Sequence, residues 1–94
     1  MTYNRSQMLF EDYKWEAIAD HDNPFYKMGI DYSEMNRNEG YEVLYFINHI
    51  APMYWIANIQ VYRKLENLLR LMVPETLKTH RKITDWLIIN WDFY

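Results

Sequence analysis

The chain has 94 residues, no cysteine, and 10 Lys+Arg against 13 Asp+Glu, for a formal charge of -3. A chain of this length buries roughly 60–70% of its unfolded surface, enough for one core, so a single domain over 1–94 is expected and large catalytic scaffolds are excluded. The lack of cysteine removes disulfide frameworks, Cys-ligated zinc, iron–sulfur clusters and thiol catalysis together.

Hydrophobic residues make up 50% and charged residues 24%, so the chain can pack a core. The outlier is aromatic content, with 4 Trp, 9 Tyr and 4 Phe making 18% of the residues. Aromatic rings bury much area per residue, and they are also enriched where proteins meet partners. Glycine occurs only at Gly29 and Gly40 and proline only at Pro24, Pro52 and Pro74; the stretches between them have helical rather than alternating periods. The expected fold is all-α, a compact bundle of about four helices roughly 12 Å in radius of gyration, with a loop-rich segment between the first two.

In chain order, Ser6 is placed to cap a first helix to about Ala19, with Leu9, Phe10, Tyr13, Ala17 and Ile18 on one side. Trp15 lies off that stripe. Asp20-His21-Asp22-Asn23-Pro24 is a turn sequence, and residues 20–35 are expected to be mostly loop. Asn36 and Glu39 have capping-box spacing, which predicts a second helix whose stripe is Val43, Phe46, Ile47, Ile50 and Ala51. Pro52 predicts a break at Ala51 and opens a third helix to about Met72, with Trp55, Tyr62, Leu65, Leu69 and Met72 inward. Val73-Pro74 ends it. A fourth helix runs from Thr79 or His80 to about Trp91, using Ile83, Trp86, Leu87, Asn90 and Trp91.

Residues 43–62 carry no Asp, Glu, Lys or Arg, but Asn48, His49, Pro52, Asn58 and Gln60 make a membrane-spanning helix too costly. The opening Met1-Thr2-Tyr3-Asn4-Arg5 lacks the apolar stretch of a signal peptide and no lipidation motif is present, so a cytoplasmic protein without membrane contact is expected.

Catalytic patterns are sparse. His21, His49 and His80 stand in different elements without a helical i+4 partner, so no metal site and no cofactor is expected. His21 between two aspartates is the best single candidate for a ligand or base, but with no convergent partner set a solvated turn held by Asx bonds is the favoured reading. Ser6 and Ser33 lack a nucleophile elbow, and two glycines cannot build a phosphate-cradling loop. No enzyme is expected.

Charge is unevenly spread. Through His49 nine acids face four bases, a net -5, and the remainder has four acids and six bases, a net +2. Two readings are open. In the first, the chain is a small non-enzymatic interaction protein, an inhibitor, adaptor or assembly factor, a class that includes phage- or virus-encoded modulators of host machinery. It would bind another protein through Trp15, Phe25, Tyr26 and Tyr32 with the flanking charges Glu11, Asp12 and Glu16. In the second, Arg63, Lys64, Arg70, Arg81 and Lys82 bind a nucleic acid or nucleotide ligand, which the negative overall charge disfavours. The acidic and basic halves also suit a homo-oligomer. Trp91, Phe93, Tyr94, Tyr41, Tyr45 and Tyr54 are further aromatics that a core of this size does not easily hold; the tail and loop aromatics either fold back as a lid on the bundle or form a binding surface of rigid anchors.

Overall fold

Three α-helices carry the described residues, which are 2–15 and 34–94 of this computed structural model. They are α1 (Gly40–Tyr54), α2 (Ile59–Asn67) and α3 (His80–Asn90). A π turn, Leu68–Met72, continues α2, and short 3-10 turns lie at Arg5–Gln7 and Trp91–Phe93. The radius of gyration is 12.2 Å. Among the described residues β pairing is limited to two isolated bridges, Lys14 with Glu39 and Glu34 with Thr79.

The core follows the apolar spacing. Val43, Phe46, Ile47, Ile50 and Ala51 of α1 are buried against Tyr62, Leu65 and Leu69, and Ile83 and Leu87 close the cluster from α3. Each fully buried large apolar side chain stabilises the fold by roughly 1.5–3 kcal/mol, so these stripes hold the three helices together.

Four boundaries differ from the sequence expectation. The predicted first helix is absent over the described residues 8–15, which run as an extended arm after the 3-10 turn. The count of about four helices therefore becomes three among the described residues, and residues 16–33, with most of the expected loop, lie outside them. The second helix starts at Gly40 rather than after Asn36. Glu39 is its cap, accepting from Tyr41 N at 3.4 Å, while the Asn36 side chain accepts from Asn38 N at 3.0 Å in a tight turn.

Pro52 lies inside α1, which runs on to Tyr54. A proline near a helix end removes only one ladder bond, so packing of the flanking turn outweighs it. The interruption falls instead at 55–58, where Asn58 caps α2 by accepting from Val61 N at 2.9 Å. The fourth predicted helix is α3 and begins as expected, its Thr79 cap accepting from Lys82 N.

The π turn shifts the register by one residue. Val73 N donates to Leu68 O at 2.8 Å, five residues back, so one extra residue enters the turn and rotates the side chains beyond it. Met72, expected inside, is consequently exposed, as is its neighbour Leu71. Arg37 then ties down the carbonyls that end this segment, donating to Val73 O at 2.7 Å, Pro74 O at 2.8 Å and Leu77 O. Burial pulls its guanidinium below the usual arginine value.

Candidate functional site

Two surfaces of α2 carry the unusual chemistry, one against the N-terminal arm and one against the C-terminal turn. On the arm side, Glu66 is fully buried on the inward face of α2. Its carboxylate accepts from Tyr3 Oη at 2.6 Å and Tyr13 Oη at 2.7 Å, and from Leu9 N at 2.9 Å and Phe10 N at 3.3 Å. Four donors surround one carboxylate, which is how a buried charge is made tolerable. Burial, followed by the hydrogen bond and charge of Glu66, pushes both tyrosine hydroxyls well above the ordinary tyrosine value.

The arm is fastened at two further points. The Asn48 amide pairs with the Tyr3 backbone like a strand neighbour, with Tyr3 N to Oδ1 at 2.7 Å and Nδ2 to Tyr3 O at 2.9 Å. Arg70 pairs with Asp12 at 2.6 Å and lies over the rings of Phe10 and Tyr13 at 4.6 and 4.7 Å. Its hydrogen bond holds the Asp12 carboxyl below the usual carboxylate range. These contacts explain the missing helix: Leu9 and Phe10 give their N–H groups to Glu66 instead of to carbonyls of their own segment. Both oxygens of this buried carboxylate are thus taken up by donors of the arm, which ties residues 3–13 to α2.

Trp15 ends the described arm. Its ring meets Tyr41 edge-on at 5.0 Å and Tyr13 at 6.0 Å, with the Arg5 guanidinium 4.2 Å above it. A Cβ on Gly40 would come within 2.5 Å of this ring, so the helix start requires a residue without one. Glu11 and Asp12 are exposed beside it. Phe25, Tyr26, Tyr32 and Glu16, the rest of the expected partner surface, lie outside the described residues, as does His21.

The other flank of α2 is open and apolar. Trp91 stacks on Trp55 at 4.1 Å, Tyr94 stacks on Trp86 at 6.0 Å, and Lys64 donates to Trp91 O at 2.8 Å and Tyr94 O at 2.9 Å while lying over the Trp91 ring. The turn thus folds back, in line with the sequence expectation, yet much apolar surface stays uncovered. Phe93 is 77% exposed, Ile89 71%, Leu71 66% and Ile56 68%, with Met53, Tyr54, Met72, Ile88 and Tyr94 also exposed. Leu71, Met72 and Tyr94 share a shallow groove with Arg63, Lys64 and Leu68.

The five basic residues of the nucleic-acid reading are not held alike. Arg70 belongs to the arm clamp and Lys64 to the C-terminal turn, Arg81 lies 3.6 Å from Asp85 one turn on, and Arg63 and Lys82 are exposed. Among the described residues no three His, Asp or Glu side chains gather as metal ligands, and no helix is long and apolar enough to cross a membrane. His49 is exposed and stacked on Tyr45, and His80 is buried beside Phe46.

Comparison with protein-family models, with curated proteins and with solved structures finds no match to this chain. Function must be argued from the residues themselves.

Sequence reasoning missed two features. Glu66 stands four residues after Tyr62 and three before Leu69, inside the apolar stripe, and that placement was the available signal for a buried acid. The exposure of Met72 depends on the π turn, for which the sequence carries no comparable mark.

Proposed function

We propose that the protein acts by docking on another protein, as an inhibitor, adaptor or assembly factor, through the apolar surface around its C-terminal turn. One observation carries this reading. Nine large apolar side chains, Met53, Tyr54, Ile56, Leu71, Met72, Ile88, Ile89, Phe93 and Tyr94, are exposed on the end of α1, the connection after it, the π turn, α3 and the C-terminal turn. The Trp55–Trp91 and Trp86–Tyr94 stacks and the Lys64 bonds join these segments. Scattered exposed hydrophobics are ordinary, but nine on so short a chain, three of them (Leu71, Met72 and Tyr94) in one groove, favour a contact surface. Rigid rings within it suit the anchoring role that aromatic residues take at interfaces.

A photo-crosslinking residue placed at Ile89 or Phe93, and for comparison at Arg81 or Lys82, tests this in the cells that make the protein. One protein adduct is expected from the first pair of positions and none from the second. No adduct at 89 and 93, or the same adducts at all four, would sink the reading.

A further inference from the structure

We infer that the groove between α2 and the C-terminal turn receives an acidic amphipathic helix of the partner protein, an inference that rests on the docking reading above. The groove follows the outer face of α2 and its π turn from Gln60 to Met72. At 1.5 Å per residue that is about 18 Å, or three helical turns. Leu68, Leu71, Met72 and Tyr94 make its apolar surface. The apolar side chains gather at the π-turn end and Gln60, Arg63, Lys64 and Asn67 line the rest, which suits a helix that seats one or two apolar anchors there and runs on with a polar face. The described residues around it are helical, so no open strand edge is offered there for a β-strand to extend.

Charge sets the class of helix. Both charged side chains lining the groove, Arg63 and Lys64, are cations, and no acidic side chain lines it. Glu66, the nearest acid in the chain, is turned inward and enclosed by the arm. Carboxylates flanking an apolar stripe on the partner would meet Arg63 first and, behind it, the Lys64 ammonium that already bonds Trp91 O and Tyr94 O, whereas lysines would face like charge.

Other occupants fit less well. A nucleic acid would need several phosphate-neutralising cations, and the mainly apolar groove offers two, one already bonded to the backbone of the C-terminal turn. The apolar face of α3 in a second copy, Ile88 and Ile89, is flanked by Asp85 and Asp92 as well as by Arg81 and Lys82, a mixed rather than an acidic edge, and a dimer by light scattering that the glutamate peptide does not dissociate would overturn the inference.

The experiment uses the full chain and three labelled synthetic peptides of about 18 residues with leucines at helical spacing. One has glutamates along both edges of the stripe, one has lysines there, and one has the glutamates and a central proline that breaks the helix. Fluorescence anisotropy reads binding, circular dichroism verifies the fold of each variant, and a mixed-sequence single-stranded DNA is titrated in parallel.

The glutamate peptide is expected to bind at least about tenfold more tightly than the lysine or proline peptide. Leu71→Asp should weaken it about tenfold, and Arg63→Gln, which removes the charge and keeps a donor near the Tyr3 hydroxyl, should remove most of the preference for glutamate over lysine. Equal affinity for the glutamate and lysine peptides, indifference to both substitutions, no peptide binding, or DNA binding that displaces the peptide would each overturn the inference. A partner crosslinked at Phe93 together with no binding of the glutamate peptide would overturn it while leaving the docking reading in place.

Discussion

The two flanks of α2 solve opposite problems. On the arm side a charge is buried, and both carboxylate oxygens of Glu66 are used by donors drawn from Tyr3, Leu9, Phe10 and Tyr13. On the side of the C-terminal turn the polar groups are also matched, through Lys64, but apolar side chains are left in water. The contrast teaches that the chain does not lack the means to close its surface. A helix that recruits residues 3–13 to enclose one carboxylate, and leaves Leu71 and Met72 uncovered one π turn away, has a finished flank and an unfinished one.

Breaking the finished flank should have the largest effect. Glu66→Ala removes the acceptor of the Tyr13 hydroxyl and of two backbone N–H groups and leaves the Tyr3 hydroxyl only Gln7 O, a loss of about 3–5 kcal/mol. That is a large part of the roughly 5–14 kcal/mol expected for a chain of this size, so chemical denaturation should show a greatly lowered midpoint or no folded baseline. Tyr13→Phe removes one hydrogen bond to the carboxylate and should cost about 1.5–3 kcal/mol by the same measurement.

The tyrosines also give the clamp a pH signature. Their folded pKa values lie above the unfolded value near 10, so their contribution is complete below pH 10 and is lost as pH rises above it. Stability should be flat with respect to these groups up to about pH 9, then fall by about 1.4 kcal/mol per pH unit for each tyrosine. Tyr13→Phe should remove one tyrosine's share of that slope. An unchanged alkaline slope in the variant would show that Tyr13 does not carry the effect.

Gly40→Ala sharpens the comparison at the edge of the arm, because the added methyl meets the Trp15 ring at 2.5 Å. A loss of about 1–3 kcal/mol is expected, with a changed near-ultraviolet dichroism from the displaced indole. On the unfinished flank the expectation is nearly nothing. Ile89→Asp and Phe93→Asp should change stability by no more than about 0.5 kcal/mol, since neither side chain is buried in the isolated protein. A large destabilisation there would mean that the face belongs to the core.

The division between what was legible in the sequence and what was not follows the range of the interactions. The stripe Val43, Phe46, Ile47, Ile50 and Ala51 is buried throughout, because helical period and burial agree within one segment. The start of the last helix at Thr79 or His80 was legible for the same local reason. The arm was misread because Leu9, Phe10 and Tyr13 do have helical spacing, but their backbone and ring groups are claimed by a carboxylate more than fifty residues away. No local propensity of about 0.5 kcal/mol per residue competes with four donors on one buried charge. Of the candidate surface, the aromatic excess and the difficulty of burying Phe93 and Tyr94 were readable, whereas the groove needed the rotation that the π turn imposes on Met72.

The arm is also made long before its anchor. Tyr3, Leu9, Phe10 and Tyr13 precede Glu66 by 63, 57, 56 and 53 residues. At ribosomal speeds of roughly 5–20 residues per second, the segment spends several seconds outside its docked geometry. Closing loops of that length is slow compared with forming α1 or α3, so docking of the arm belongs to the last events of folding. In a nascent or freshly diluted chain, Leu9, Phe10 and the two tyrosine rings are therefore the parts that chaperones and proteases meet first, and protection of the Leu9 amide marks the moment at which the molecule is complete.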